Sequence, residues 1–344
     1  MIYSLVCLGG GKSQLPVIIS AKNLGYNVIA FDRDPKAPGF ELADVKFNCS
    51  THDSKAVINV LNDFFSEKNH EYQLVGVVNR SSGPPVLTAA EIAHYFNIPG
   101  IAVSDAKSIL YKDLLRKACN KYDIPSPKFQ VLNLRQTPGE ILIDPPLVIK
   151  PAISMVGKSG VSIVQNKGQY LESMSYARDA SVTGQIVVED YLTGTDYSFV
   201  GFVENGKVQR VCILEEINSS DDYGKVFGRG FKTHTPLSDH DIESSLDEIS
   251  QKIASSFNIA RSPFMASYRS DNDGNLYLIE IHLDIGGDAL IENLFPIALN
   301  IDFPELAVGM AAGDLIFPEA IEVKPSAIIF DEGPELVSDK NFKI

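Results

Sequence analysis

The chain has 344 residues, with 30 Lys+Arg against 44 Asp+Glu and a formal charge of −14; that length calls for two or three compact units and excludes a single small module. Apolar residues at 44% and charged residues at 22% provide for a buried core and exclude a disordered chain. The acidic balance, with no Lys/Arg-rich block, argues against sequence-independent nucleic-acid binding, so a bound polyanion must be small and held by local cations.

The opening run 2–8 is apolar, lacks a cationic start and is too short to span a bilayer, so it reads as a buried strand. No later run reaches membrane length, and no membrane partner is expected. From residue 2 to about 104, apolar strands at 3–8, 27–31 and 74–79 alternate with helical stretches near 13–24 and 53–67. Continuous apolar strands with crossover helices predict a parallel α/β sheet covered on both faces. Ligands of such sheets lie beyond the carboxyl ends of the strands, here Gly9-Gly10-Gly11, Asp32-Arg33-Asp34 and Asn79-Arg80-Ser81-Ser82-Gly83. The glycine loop is too short for a phosphate-wrapping P-loop, because Val6 stands where the first glycine is needed. A dinucleotide fingerprint fits Gly9 and Gly11 but meets Gln14 at its third position, with Asp32 where a ribose-binding acid belongs. The main reading is a strand-to-helix turn bordering a substrate cleft; an NAD(P)-dependent oxidoreductase is the alternative. Cys7, Cys49, Cys119 and Cys212 form no C-x-x-C pair, which predicts free thiols in a reducing, cytoplasmic setting.

After Pro125 and Pro127 the pattern changes to hairpins with isolated helices, an α+β unit. One hairpin is predicted over 196–216 around Glu204-Asn205-Gly206, another over 263–281 around Asp271-Asn272-Asp273-Gly274. Between them Ser238 can cap a helix whose apolar positions Ile242, Leu246, Ile249, Ile253 and Phe257 repeat at spacings of four and three. The strand 146–151 carries Lys150 near its end, and a lysine there needs an anion, because burying a lone ammonium is costly. The loop that follows, with Lys158, either lays N–H groups along phosphates or is a solvated hairpin loop with a snorkelling lysine. The run 186–196 places Glu189 and a short connector where they could hold an adenine edge, and Asp196 where it could accept from ribose hydroxyls. In an extended strand Glu280, His282 and Asp284 share one face, a composition that suits a divalent metal.

The order of these pieces resembles the ATP-grasp superfamily, of the carboxylate–amine ligase type. The resemblance is carried by Lys112 in Tyr-Lys-Asp-Leu-Leu-Arg, Ile124-Pro125-Ser126-Pro127, Val148-Ile149-Lys150-Pro151, the Gly/Ser/Lys loop, Glu189-Asp190-Tyr191-Leu192 through Asp196, and Gly274 through Glu280. The first part, with Gly25-Tyr26-Asn27-Val28-Ile29 and Asp32-Arg33-Asp34-Pro35, is similar to the family's preceding Rossmann-like substrate domain. The resemblance covers about 1–315 and implies a division into a pre-ATP-grasp domain at 1–104, a small subdomain at 105–185, a large subdomain at 186–318 and an extension at 319–344. It implies ATP with Mg²⁺ or Mn²⁺ as cofactors. Lys112, Lys150, Ser154, Met155, Val156, Gly157, Lys158 and Ser159 would face the phosphates. Glu189, Asp190, Tyr191 and Leu192 would hold the adenine, and Asp196 the ribose. Metal ligands would be Glu280, His282 and Asp284. Lys150, Lys158 and Arg269 would serve catalysis, and Gly10, Asp32, Arg80, Ser81, Ser82 and Arg229 would meet substrate.

The activity implied is ATP-dependent joining of a small carboxylate to a small amine through an acyl phosphate, with a homodimer as the expected assembly. An ATP-binding sensor or subunit with weak or no ligation is the alternative. It is motivated by departures from the family pattern: Ser267 stands seven residues before Gly274 where a metal-binding carboxylate is usual, and Glu280-Ile281-His282-Leu283-Asp284 replaces Glu-x-Asn followed by an arginine.

Overall fold

The computed structural model describes residues 1–68, 71–154, 158–234, 240–287, 289–330 and 342–343. Strands β1 (Ile2–Leu8), β2 (Asn27–Asp32), β3 (Val45–Asn48) and β4 (Tyr72–Asn79) form a parallel sheet in the order β3-β2-β1-β4. Successive β1 residues enter opposite cores, Leu5 and Cys7 on one face and Val6 and Leu8 on the other, as the period of two requires. Helices α1 (Leu15–Asn23), α2 (Ser54–Glu67) and α3 (Pro84–Tyr95) accompany this sheet, and Asp53 caps α2 by accepting from the Ala56 N–H. Two elements were not expected from the sequence: helix α3, and the short edge strand β3, whose half-buried residues give no clear apolar run.

Helices α4 (Val103–Leu110) and α5 (Lys112–Tyr122) lead to a four-stranded antiparallel sheet ordered β5-β8-β6-β7. It comprises β5 (Phe129–Leu132), β6 (Leu147–Pro151), β7 (Ser162–Val164) and β8 (Ile186–Asp190), and buries Ile149, Val164 and Val188 against Met174 and Ala177 of α6 (Tyr170–Ala180). The third sheet, ordered β13-β12-β9-β10-β11-β14-β15, is antiparallel. Its strands are β9 (Asp196–Glu204), β10 (Lys207–Ser220), β11 (Val226–Thr233), β12 (Arg261–Ser270), β13 (Leu276–His282), β14 (Ala327–Phe330) and β15 (Phe342–Lys343). The β9–β10 turn uses Asn205 at φ 52° and Gly206 at φ 75°, the positive angles that Asn-Gly tolerates. Helix α7 (His240–Ser256) buries Leu246 and Ile253 on this sheet; the expected cap Ser238 lies outside the described residues.

Two expected boundaries move. Strand β8 pairs with β5 and β6, so the change of lobe falls after Asp190 and not before Ile186. Residues 327–330 pair with β11, so this part of the tail is a strand of the large sheet and not a separate extension. The first domain is also not insulated: one core joins Leu5 and Val17 to Phe202 and Leu214 of the large sheet, and to Phe303 and Val308 of α9 (Phe303–Ala312), which follows the short α8 (Phe295–Ala298). The α9–β4 contact is so close that a Cβ on Gly76 would fall within 3.0 Å of the Ala311 carbonyl. Across the mouth between the two antiparallel sheets, the Ile163 N–H donates to Gly224 O at 2.8 Å and the Val226 N–H to Val161 O at 3.1 Å, tying the β10–β11 turn to the edge of β7.

Candidate functional site

A deep cleft lies between the small and the large antiparallel sheets, with Ser82 and Gly83 of the first domain among its lining residues. Its walls bring together Lys112, Lys150, Ser154, Lys158, Glu189, Asp190, Leu192, Asp196, Arg269, Glu280, His282 and Asp284, residues spread over 173 positions of sequence that the fold makes neighbours. Lys112 starts α5, where its N–H donates to Ala152 O at 2.8 Å, and its ammonium pairs with Glu280 at 3.2 Å. Lys150 projects from β6 to Glu189 at 2.8 Å. Lys158 reaches across to β10, to Glu216 at 2.8 Å and Asn218 Oδ1 at 2.6 Å. Met155, Val156 and Gly157 lie outside the described residues; Ser159 is described but does not line the cleft.

Burial sets the electrostatics. It pushes the Lys150 ammonium down to about 8, with Glu189 opposing and Arg116 and Lys112 adding to the fall. Glu189 is buried too, yet Arg116 and Lys150 hold its carboxyl below the usual range. Arg116, fully buried on α5, was missed by sequence reasoning: Nε donates to Glu189 at 2.7 Å and Nη2 donates to Glu189 at 3.2 Å and to Ile279 O at 2.8 Å. Its only sequence signal is its place one helical turn after Lys112. Glu189 therefore enters the site as a neutralised anchor, held by Arg116 and Lys150.

Asp196 and Arg269 also find each other. Arg269 forms a two-point pair with Asp196, donates to Leu192 O at 3.3 Å and lies 5.3 Å from the centre of the Tyr191 ring. This guanidinium, expected to serve catalysis, lines the cleft and is engaged with Asp196 and the connector between the lobes. Asp196 also accepts from Asn218 Nδ2 at 2.9 Å.

On β13 a bulge between Ser267 and Tyr268 leaves Ile279 without a paired partner, which turns Glu280 toward the cleft. Burial opposes ionisation of Glu280, but Lys112 and His282 hold its carboxyl well below the usual range. His282 sits 3.3 Å from Glu280, and that carboxylate outweighs burial to raise the imidazole to about 9. The expected metal role of His282 meets a competing partner here, because its imidazole is turned to the Glu280 carboxylate. Asp284, past the strand end, accepts from Ser82 Oγ at 3.0 Å and from the Gly286 N–H at 3.1 Å, so it ties the lobe to the first domain instead of completing a metal triad. Among the described residues no group of three or more His, Cys, Asp and Glu side chains is arranged to hold a metal. The donor chemistry nevertheless fits Mg²⁺, which commonly takes one or two carboxylates and fills its sphere with phosphate oxygens and water. Glu280 supplies hard oxygens on the cleft wall.

Of the six expected substrate residues, Ser82 alone lines this cleft. Gly10 and Asp32 serve the glycine turn, the Gly10 N–H donating to Asp32 Oδ2 at 2.8 Å and Gly10 O accepting from Gly39. Gln14 packs over this turn, its side chain 3.0 Å from where a Cβ on Gly9 would sit, and reaches Arg80 O and Ser81 Oγ at 3.3 and 3.4 Å. Arg80 is buried and committed to Glu292, Ser13 O and Gly286 O, a brace between domains and not a substrate contact. Arg229 on β11 donates to Ser219 Oγ at 2.7 Å, away from the cleft.

Residues 143–292 match the ATP-grasp domain family. The chain is 29% identical over 181 residues, 52% of its length and 44% of the relative's, to a formate-dependent phosphoribosylglycinamide formyltransferase of Francisella tularensis. A protein of the same name from Prochlorococcus marinus is 27% identical over 234 residues, covering 64% of this chain and 56% of that one. The chain thus spans about half the length of these curated relatives. Among solved structures, an L-amino acid ligase from Bacillus licheniformis superposes with a TM-score of 0.75 at 20% identity, over 95% of this chain and 79% of that one. An N5-carboxyaminoimidazole synthase from Aspergillus clavatus, bound to ADP and 5-aminoimidazole ribonucleotide, gives 0.75 at 17% identity over 97% and 83%.

Proposed function

We propose, from the match of residues 143–292 to the ATP-grasp domain family, that the chain is an ATP-dependent ligase that joins a small carboxylate to a small amine. The observation that carries the reading is the convergence of Lys112, Lys150 and Lys158 on one cleft in a strongly acidic protein, opposite Glu280 and beside the 189–192 connector. The relatives' printed names, formyltransferase, amino acid ligase and carboxyaminoimidazole synthase, describe different products; making a bond to nitrogen is the chemistry the reading takes from them.

No protein nucleophile is required. The adenine would lie along the connector backbone, and the three lysines would meet the phosphates. A carboxylate oxygen attacks the γ-phosphorus as the bond to the β,γ-bridging oxygen breaks, giving an acyl phosphate and ADP. The amine nitrogen then attacks the acyl carbon, phosphate leaves, and the nitrogen gives up its proton. Lysine charge spread around the transferring group, together with exclusion of water, lowers the barrier to the first step. Mg²⁺ bound by Glu280 would neutralise phosphate charge. The first domain presents Ser82 and Gly83 to the same cleft, which places it to contribute to substrate choice. Four unpaired cysteines suit a reducing compartment.

The test is ADP release over a panel of carboxylic acids with hydroxylamine present, which captures an acyl phosphate as a hydroxamate, followed by mass spectrometry of products with mixed amines. Acid-dependent hydroxamate supports the proposal. Tight ATP binding without ADP release on any acid would instead favour a nucleotide sensor.

A further inference from the structure

We propose that Glu216 is a second carboxylate for the divalent metal that accompanies ATP, supplied by β10 in place of an acid at position 267; this rests on the reading of the cleft as an ATP site. Three neighbouring strands build a row across one sheet face. Ser198 of β9 pairs directly with Ser267 of β12, and Ser267 pairs directly with Glu280 of β13. Directly opposed residues on one face have Cβ atoms about 5 Å apart. The Glu216 carboxylate leans over the two small side chains: Oε1 accepts from Ser198 Oγ at 2.7 Å and from Ser267 Oγ at 3.0 Å. It is thereby aimed at the strand position next to Glu280, and both acids line the cleft.

The two serines have a specific consequence. Their hydroxyls occupy Oε1 and orient the carboxylate, while among the described residues Oε2 is engaged by the Lys158 ammonium at 2.8 Å and the Asn218 Nδ2 amide at 3.5 Å. A carboxylate at position 267 would compete for the space Glu216 now fills and would repel it. Glu216 and the small residue at 267 are therefore one arrangement: the carboxylate reaches in from two strands along the sheet, and Ser267 donates a hydrogen bond to it. Two carboxylates with phosphate oxygens meet the needs of Mg²⁺ without a third protein ligand.

The experiment uses Mn²⁺ as the probe, titrated into the full chain at saturating ADP with free Mn²⁺ read by electron paramagnetic resonance. ADP binding in the presence of a chelator is measured alongside. Glu216→Gln is expected to raise the Mn²⁺ Kd by about tenfold or more while changing metal-free ADP binding less than about twofold; two carboxylates rather than one set that scale. In Glu216→Gln/Ser267→Asp the acid is restored from the neighbouring strand, and Mn²⁺ affinity is expected to recover. Unchanged Mn²⁺ affinity in Glu216→Gln overturns the inference, as does a loss that only parallels metal-free ADP binding, the signature of a loop anchor for Lys158. If Glu216→Gln does not fold, Glu216→Asp, with the charge on a shorter arm, is read against the same two outcomes. Failure of the unmodified protein to bind ADP would overturn the ATP reading itself, a result visible before any variant is made.

Discussion

Arg116 offers the sharpest test of how the cleft is held together. Replacing it with Met keeps much of the aliphatic volume and removes the guanidinium, leaving Glu189 with Lys150 alone and Ile279 O without its donor. Removing one partner of a buried ion pair costs about 3–5 kcal/mol, most of it the penalty of a charge left short of partners. Two features place this case at the lower end. Lys150 still neutralises Glu189 at 2.8 Å, and Arg116 Nη1 is buried without a hydrogen bond to lose. The expected cost is therefore about 3 kcal/mol, read from the shift in urea midpoint at unchanged slope. Glu189→Gln in the Arg116→Met background removes the stranded charge, so the double variant should be less destabilised than the sum of the singles by about 2 kcal/mol. A single-variant cost below about 1 kcal/mol, or strict additivity in the cycle, would refute the view that Glu189 is a structural anion first.

Lys150→Met should weaken ADP binding by about tenfold or more, since a charge-assisted hydrogen bond contributes about 1.5–3 kcal/mol; equilibrium titration checks it. The same lysine sets a pH dependence: burial lowers it to about 8, so above that pH the free protein loses a cation that bound phosphate favours. ADP affinity should fall as pH rises, by about tenfold at pH 9, with proton uptake on binding seen by calorimetry in buffers of different ionisation enthalpy. The profile should flatten in Lys150→Met. Gly76→Ala should destabilise by about 2–3 kcal/mol in a denaturant titration, because the new Cβ meets the rigid Ala311 backbone and not the end of a flexible side chain.

Much of this architecture is legible in one sequence because it rests on local periodicity. The apolar runs of β1, β2 and β4 and the Asn205-Gly206 turn locate the two kinds of sheet. The lysines could be found because an ammonium on a strand such as β6 demands an anion. What remained hidden was who satisfies whom. Lys150 and Glu189 were assigned separately to phosphate and adenine, yet they neutralise each other across β6 and β8, and Arg116 completes the group from a helix 73 residues earlier in the chain. Asp196 and Arg269 likewise pair across strands that the sequence separates by 73 positions. Arg80 read as a substrate contact because it follows a strand end; its guanidinium is consumed by Glu292, 212 residues away. Gln14 appeared only as a mismatch to a fingerprint, whereas its side chain fills the turn. Glu216 sits within a hairpin strand, and nothing in its neighbourhood along the chain marks it as different from Glu215, which pairs instead with Lys232 and His234.

The two main-chain bonds that tie the β10–β11 turn to residues 161–163 join the two sheets by backbone alone. With the 189–192 connector on one side and this tie on the other, the two sheets are joined at both edges of the cleft. The two backbone hydrogen bonds contribute about 1–3 kcal/mol together, and the Lys158 contacts to Glu216 and Asn218 add to what an opening must break. Because those donors and acceptors belong to the peptide chain, most substitutions inside the cleft leave them in place, whereas substitutions at Lys158, Glu216 or Asn218 remove the side-chain part of the same closure.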